Sequence, residues 1–342
     1  MSSHFPYEFV ELPSETQAEV MKHFLGYKGG LGEVKGPGHL IPMHYDKLKH
    51  EYYNFKFNSD DVVIVTQPKC GTTWTQEIVW CMRNNLDFQA AEEKALWIRA
   101  PFLEFDAIKP VEMTVIKPVL DALQSAGVKS NVGEEYLSVA KSIPGPRTIK
   151  THLPFSLLPP DLLDTCKVIY VARNPRDACV SYYHHQRLIK CSEYVGDFPT
   201  FLDFWCRDLM LQGPYWAHVE EGWSRREHPN MLFMFYEDMK LNINEQTNCL
   251  NTFLGTNLSQ AQLQKVVNFT DVGSMKKRTN IKDLFKIMSG NRPSTTDENY
   301  QVGKGTTGDW KNYITPQLDS KFDTWIRKWG HIADNVPFRN VL

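Results

Sequence analysis

A single α/β domain with a central, mostly parallel sheet flanked by helices is the fold this sequence predicts, and three observations predict it. Short apolar runs alternate with helix-periodic stretches along the chain, the order from which sheets of this kind are built. Two of those runs, 167–172 and 231–236, are apolar almost without alternation, as strands covered on both faces are. A glycine turn at Lys69-Cys70-Gly71-Thr72-Thr73 then joins an apolar run to an apolar-periodic helix, a P-loop-like arrangement.

The elements follow in chain order. Strands are expected at 62–66, 147–150, 167–172 and 231–236, each a short apolar run. Helices are expected at 72–84, 175–188, 198–210, 214–226, 238–254, 259–268 and 317–329. The first of these carries Ile78, Val79, Trp80 and Met82, and the second places Pro175 in its first turn, where a missing N–H costs nothing. Two stretches resist this reading. Residues 105–146 mix prolines and glycines with helix-like pieces and read as an insertion or lid, whereas 270–309 are polar and read as a long surface loop. No linker divides the chain, so one domain is expected over 1–342, with its core at about 60–330.

Composition narrows the function. The 342 residues are 42% hydrophobic and 23% charged, enough apolar material for a sizeable core. A net charge of −2 gives no overall basic field for nucleic acid or an anionic membrane, so positive charges must be weighed locally. Seven cysteines lie scattered without a C-x-x-C pair, the pattern of a reducing compartment rather than of a disulfide frame or zinc site. The opening residues lack a basic start and apolar core, and no apolar run approaches ~18 residues. The expectation is a cytoplasmic protein with no nucleic-acid or membrane partner.

Four motifs carry chemistry. At the glycine turn, free backbone N–H groups and the positive helix end converge, while Lys69 adds a cation and Thr72 and Thr73 add hydroxyls. Its lysine precedes the glycine, unlike the G-x-x-x-x-G-K-[ST] order of nucleotide triphosphatases, and alone it could be an ordinary strand–helix turn. Arg173 ends the run 167–172, where ligands of open parallel sheets bind, and Ser181 lies about two turns into the helix that follows. In isolation, Arg173 is more simply a surface residue capping the sheet. Lys150-Thr151-His152 also ends a strand, and a histidine beside a phosphate loop is a candidate general base. Lastly, Gly303-Lys304-Gly305 offers amides and a charge to an anion, or is simply a flexible loop.

Taken together, the segments TQPKCGTTW, KTHLP, YVARNPRDACVSYYH, FYED and GKGTTGDWKN resemble the cytosolic sulfotransferase family in content, order and spacing. That family uses 3′-phosphoadenosine 5′-phosphosulfate (PAPS) and leaves adenosine 3′,5′-bisphosphate (PAP). The resemblance runs from about residue 60 to about 330. The long segment before Lys150 and the opening FPYEF look closest to insect members of the retinol dehydratase type.

The resemblance implies a role for each matching residue. Lys69, Gly71, Thr72, Thr73 and Trp74 would hold the 5′-phosphosulfate and adenine, with Cys70 in place of a common serine. Arg173 and Ser181 would bind the 3′-phosphate, and Tyr236 and Thr270 would contact adenine. Lys304 and Gly305 belong to the closing loop. His152 would be the catalytic base, with Lys69 and Lys150 stabilising the leaving group, an electrostatic mechanism that calls for no metal. The acceptor would be a small lipophilic hydroxylated molecule such as a phenol, steroid or alcohol. Phe102, Phe155 and Tyr183 are candidate walls of its pocket, with core packing an equal alternative for each. His184 and His185 read as structural.

The sequence departs from the family's pattern in three places. Val272 stands where an aromatic is usual. In the family's dimer motif, of the form K-x-x-x-T-V-x-x-x-E, Lys311 and Thr315 match while Pro316 replaces the valine and Ser320 the acid, so a monomer or weak homodimer is expected. Gly303 stands where an arginine usually grips the 3′-phosphate. Three rival functions remain: elimination of sulfate from a transient ester, as in a retinol dehydratase; a small-molecule kinase; and a cofactor-binding protein without turnover. Gly303→Arg should tighten PAPS binding by about 1.5–3 kcal/mol, the worth of a charged hydrogen bond. Calorimetry checks this, and no gain would mean that a neighbour such as Lys276, Lys277 or Arg278 already fills the role.

Overall fold

The computed structural model describes residues 3–109, 136–278 and 305–339. Four strands form the predicted parallel sheet: β4 (Val62–Thr66), β5 (Thr148–Thr151), β6 (Lys167–Ala172) and β7 (Met231–Phe235), in the order β5-β4-β6-β7. They follow three shorter strands, β1 (Phe9–Glu11), β2 (Leu31–Val34) and β3 (His39–Pro42), which make a separate antiparallel sheet. This second sheet is absent from the sequence expectations, because runs of three or four residues interrupted by Gly32 and Pro42 show too little periodicity.

Both faces of the parallel sheet are covered, which explains its near-continuous apolarity. Val62, Ile64, Ile169 and Val171 pack with Ile78 and Val79 of the helix Thr72–Arg83. Their neighbours Val63, Val65, Val168 and Tyr170 point the other way, into a cluster with Tyr45, Leu103 and Leu153. The strict side-chain alternation of a strand is therefore present, hidden by an apolar environment on each side. A third cluster, rich in aromatic rings, packs Tyr182, Phe201, Trp205, Trp216 and Trp325 around the helix Pro175–Leu188.

Most predicted helices match to within a few residues, and the differences have local causes. The expected helix 238–254 is two helices, Tyr236–Leu241 and Ile243–Leu254. Asn242 leaves helical geometry between them and caps the second by accepting from the Glu245 amide at 3.2 Å. The helix expected at 198–210 ends at Cys206, and that expected at 214–226 is Tyr215–Trp223. Helix Gln260–Phe269 starts with a capping box between Ser259 and Gln262. Pro316 opens the helix Pro316–Lys328 behind the Thr315 cap.

The expected lid, 105–146, lies largely outside the described residues. Its two ends are helices, Phe105–Ile108 and Tyr136–Ser142, joined where Asp106 accepts from the Leu137 amide at 2.7 Å. Most of the expected surface loop 270–309 likewise lies outside them. All seven cysteines carry free thiols, and no helix among the described residues is long and apolar enough to cross a membrane.

Topology locates the site. The chain leaves β4 for β5 on one side, then returns past β4 to β6 and β7 on the other. Connections therefore diverge between β4 and β6, and such a switch point leaves a crevice at the strands' carboxyl ends. The residues that follow β4, β5 and β6 all open there.

Candidate active site

The loop after β4 turns sharply because two of its residues adopt left-handed backbone, Lys69 at φ 67° and Gly71 at φ 99°. Gly71 is the N-cap of the helix Thr72–Arg83, and no side chain caps that helix start. Its first-turn N–H groups thus face the cleft with the positive end of the helix dipole. The loop is braced from beneath: Thr66 Oγ1 lies 2.6 Å from Thr72 Oγ1, and Gln67 Nε2 donates to the Gln212 carbonyl at 2.8 Å. Cys70 is buried, and that burial pushes its thiol up to about 12, so it is no nucleophile.

Arg173, after β6, donates to the carbonyls of Lys69 at 3.0 Å and Thr306 at 3.1 Å. Its guanidinium lies 4.4 Å over the Tyr236 ring, while its buried Nε has no partner among the described residues. Asp177 draws the closing loop in, accepting from the amides of Gly308 at 2.7 Å and Trp310 at 3.2 Å. Lys69, Gly71, Thr72, Thr73, Trp74, Lys150, His152, Arg173, Ser181, Tyr236 and Gly305 all line one cleft. Lys69 is depressed to about 8 there, by burial first and then by the charges of Arg173 and Lys150. Trp74 and Tyr236 meet edge to face at 6.0 Å, making an aromatic corner.

His152 sits where the loop from β4 meets the end of β5. Its Nδ1 lies 2.7 Å from the Thr66 carbonyl, and because a carbonyl only accepts, Nδ1 carries the proton and Nε2 the free lone pair. Burial, then the charge of Lys150, hold the imidazole well below its ordinary range, so it is neutral at physiological pH. Its amide donates to Glu104 Oε1 at 2.6 Å and its carbonyl lies 3.2 Å from His218 Nε2. Lys150 Nζ stands 4.0 Å over the ring of Phe102, which meets His152 edge to face at 5.2 Å.

Several sequence expectations need correcting. Thr270 is buried and its hydroxyl donates to the Val266 carbonyl at 2.8 Å, closing a helix; it is not among the cleft residues, whereas Val272 is. Phe155 stacks on Tyr170 at 6.5 Å in the turn after Pro154 and is not among the residues that line the cleft. Tyr183 packs against Phe198 and Phe201, since its helix turns it about 100° from Tyr182 into the aromatic core. Of the proposed wall residues only Phe102 lines the cleft, joined by Ile108, Val180, Ile189 and Leu211, which the sequence reading passed over. His185, read as structural, lines it too. Arg278 is committed elsewhere, paired with Glu77 at 3.0 Å and lying over Phe269. Lys304 and Gly303 lie outside the described residues.

This cleft joins an anion cradle to an apolar wall through a neutral histidine, and the family comparison agrees. A model of the sulfotransferase domain matches residues 59–333. The chain belongs to the sulfotransferase family. Luciferin sulfotransferase of Photinus pyralis is 32% identical over 292 residues, covering 84% of this chain and 76% of that protein. Human sulfotransferase 1C2 is 32% identical over 307 residues, covering 89% and 94%. Retinol dehydratase in complex with retinol and PAP superposes with a TM-score of 0.80 at 30% identity, covering 95% of this chain and 96% of that one. Its complex with androsterone and the inactive cofactor PAP gives the same values.

This sulfotransferase uses PAPS, and its residues fit that cofactor. The glycine turn and a helix start that no side chain among the described residues caps suit a phosphate, Arg173 Nε is a buried donor without an acceptor among the described residues, and Lys69 is a cation depressed by burial and by its cationic neighbours. Gly71→Ala should weaken PAP binding about ten-fold. A Cβ there would meet Tyr236 at 2.7 Å, and left-handed backbone costs an L-residue about 1–2 kcal/mol. Calorimetry with PAP checks it, and unaltered affinity would show that the cofactor does not need this turn.

Proposed function

We propose that this sulfotransferase moves a sulfonate group from PAPS to the hydroxyl of a small lipophilic acceptor, with His152 as the general base. The observation that carries the reading is the tautomer of His152: Nδ1 is spent on the Thr66 carbonyl, leaving a basic Nε2 in a cleft with phosphate-binding groups on one side and Phe102, Ile108, Val180 and Leu211 on the other. A general base must be unprotonated before it can take a proton, and burial keeps His152 in that form at neutral pH.

When bound, PAPS supplies the sulfonate and the bisphosphate leaving group. Gly71, Thr72, Thr73 and Trp74 would hold it from the loop side, Arg173 and Ser181 from the β6 side, and Tyr236 and Gly305 would close over it. His152 Nε2 takes the proton as the acceptor's O–H bond breaks. Lys69 and Lys150 offer positive charge where negative charge grows, in a site shielded from water, where fixed charges act strongly. The apolar wall orients the acceptor and keeps competing water away.

Retinol and androsterone, bound by the structural neighbours, are acceptors of the right character to try first. One observation favours a second outcome with retinol: retinol dehydratase resembles this chain over nearly its whole length. There the sulfate ester of an allylic alcohol would eliminate sulfate rather than leave as product. Incubation with PAPS and retinol, followed by product analysis, separates a released ester from an eliminated hydrocarbon.

An acceptor screen with labelled PAPS tests the transfer itself. His152→Ala should lower sulfonation by about 10²–10⁴, the usual worth of a general base, with PAP affinity little changed. Near-wild-type turnover by the folded variant would remove His152 from the mechanism.

A further inference from the structure

Glu104 carries none of the roles assigned above, yet it stands behind two of the residues that the mechanism uses. The segment 101–103 adds itself to the outer edge of β5: Lys150 donates to the Pro101 carbonyl at 2.9 Å and Leu103 to the Lys150 carbonyl at 2.9 Å. Glu104 follows directly and is completely buried. Its Oε1 accepts from the His152 amide at 2.6 Å, and its Oε2 accepts from the Thr151 hydroxyl at 2.7 Å. Thr151 Oγ1 in turn accepts from the Leu153 amide at 3.0 Å, and Gln212 Nε2 lies 3.5 Å from Oε1. A buried carboxylate is kept only where donors and cations repay its desolvation.

We infer that Glu104 is a positioning residue of the transfer reaction: its side chain fixes the main chain that carries His152 and sets an acidic group beside Lys150, with whose main chain the preceding residues pair. The inference rests on the roles proposed above for His152 and Lys150. Both halves have a physical ground. The hydrogen bond to the His152 amide sets where the imidazole leaves the strand, and the bond from Nδ1 to Thr66 then sets its ring.

The charges around Lys150 supply the second half. Lys150 is depressed by burial and raised only by Glu104. The other titratable groups facing it carry no negative charge: Lys69 from the loop after β4, His152 at the end of β5, and His185 from the helix Pro175–Leu188. Glu104 itself is pushed up to about 7 by burial, with the Thr151 and His152 bonds and Lys150 pulling the other way, so its charge is complete only above neutral pH, on the alkaline limb. The groups facing it from the helix Tyr45–Tyr53 are the phenols of Tyr45 and Tyr52, both raised above their ordinary range and so neutral. Removing the carboxylate charge therefore lowers the proton affinity of Lys150, and the working ammonium is lost at a lower pH.

Two variants separate the two halves. Glu104→Gln keeps an acceptor for the His152 amide and deletes the charge. The alkaline limb of kcat/KM should move down by about one pH unit or more, the effect of losing a nearby opposite charge. The midpoint of Lys150 acetylation by trace acetic anhydride, read by mass spectrometry, should move with it. Glu104→Asp keeps the charge but cannot span both donors. Its limb and labelling midpoint should stay in place while kcat falls by up to about 100-fold, with acceptor KM little changed. PAP binding and a thermal melt confirm that each variant is folded, and if the glutamine variant does not fold, the aspartate variant alone decides. A limb and midpoint that stay in place in Glu104→Gln would overturn the inference. So would an aspartate variant of unaltered kcat, or one whose limb moves. Retained activity in His152→Ala is a different failure, because the labelling reads Lys150 directly.

Discussion

The parallel register of β5, β4 and β6 delivers Lys150, Lys69 and Arg173 to one edge of the sheet, and the repulsion among these cations is the constraint on which the site depends. Val65 pairs with Thr151 and Thr66 with Val171, so the three strands end almost level and their following residues cannot separate. Most of what surrounds the cluster neutralises little of it. Arg173 meets only two carbonyls and an aromatic face, none of them a full negative charge, and Glu237, which binds the Asn174 amide, is pushed up to about 7 by burial. Partial neutralisation is useful to an enzyme that must bind a polyanion. A cleft that met all its own charges internally would have to break those bonds before any phosphate could enter.

The same constraint explains the state of the base. Cations nearby and burial both oppose a charged imidazole, so His152 is neutral without needing a carboxylate partner at Nδ1. Its orientation comes instead from the Thr66 carbonyl at the ring and from two side chains that hold its own main chain, Glu104 at the amide and His218 at the carbonyl. His218 is held in turn by Tyr170, whose hydroxyl lies 2.7 Å from its Nδ1. A neutral imidazole thus rests on a strand end fixed at three points, an arrangement that limits the ring's motion more than a single side-chain contact would.

The donor side of the site was legible in the sequence because its chemistry is local. Lys69 and Gly71 share one turn, Arg173 and Ser181 share one helix start, and each lies where an apolar run ends. The parallel sheet was legible for the same reason. What was not legible depends on distant pairing. Whether Phe102, Phe155 or Tyr183 faces the cleft turns on which side of a helix or turn is already taken by the aromatic core, and no spacing records that. Thr270 shows how a motif match can place a residue next to the one that does the work: its hydroxyl closes a helix, and Val272 reaches the cleft. Glu104 did leave a trace, a lone carboxylate between Leu103 and Phe105. Its meaning needed the pairing of 101–103 with β5.

The two halves of the cleft also share a mechanical support. Glu77, in the helix whose start faces the cleft, is completely buried and binds Arg99 at 2.5 Å and Arg278 at 3.0 Å. Arg99 stands just before the segment that carries Phe102 and Glu104, and Arg278 ends the helix Val272–Lys277 whose first residue lines the cleft beside Gly305. One carboxylate therefore ties the phosphate-facing helix to the acceptor-side segment and to the closing side of the cofactor groove. Buried charges of this kind add little net stability, but they tolerate few alternative geometries, because any other packing leaves a guanidinium unpaired. Such a strut keeps the phosphate loop, Glu104 and Val272 at fixed separations, as an in-line transfer between a donor on one side and an acceptor on the other requires.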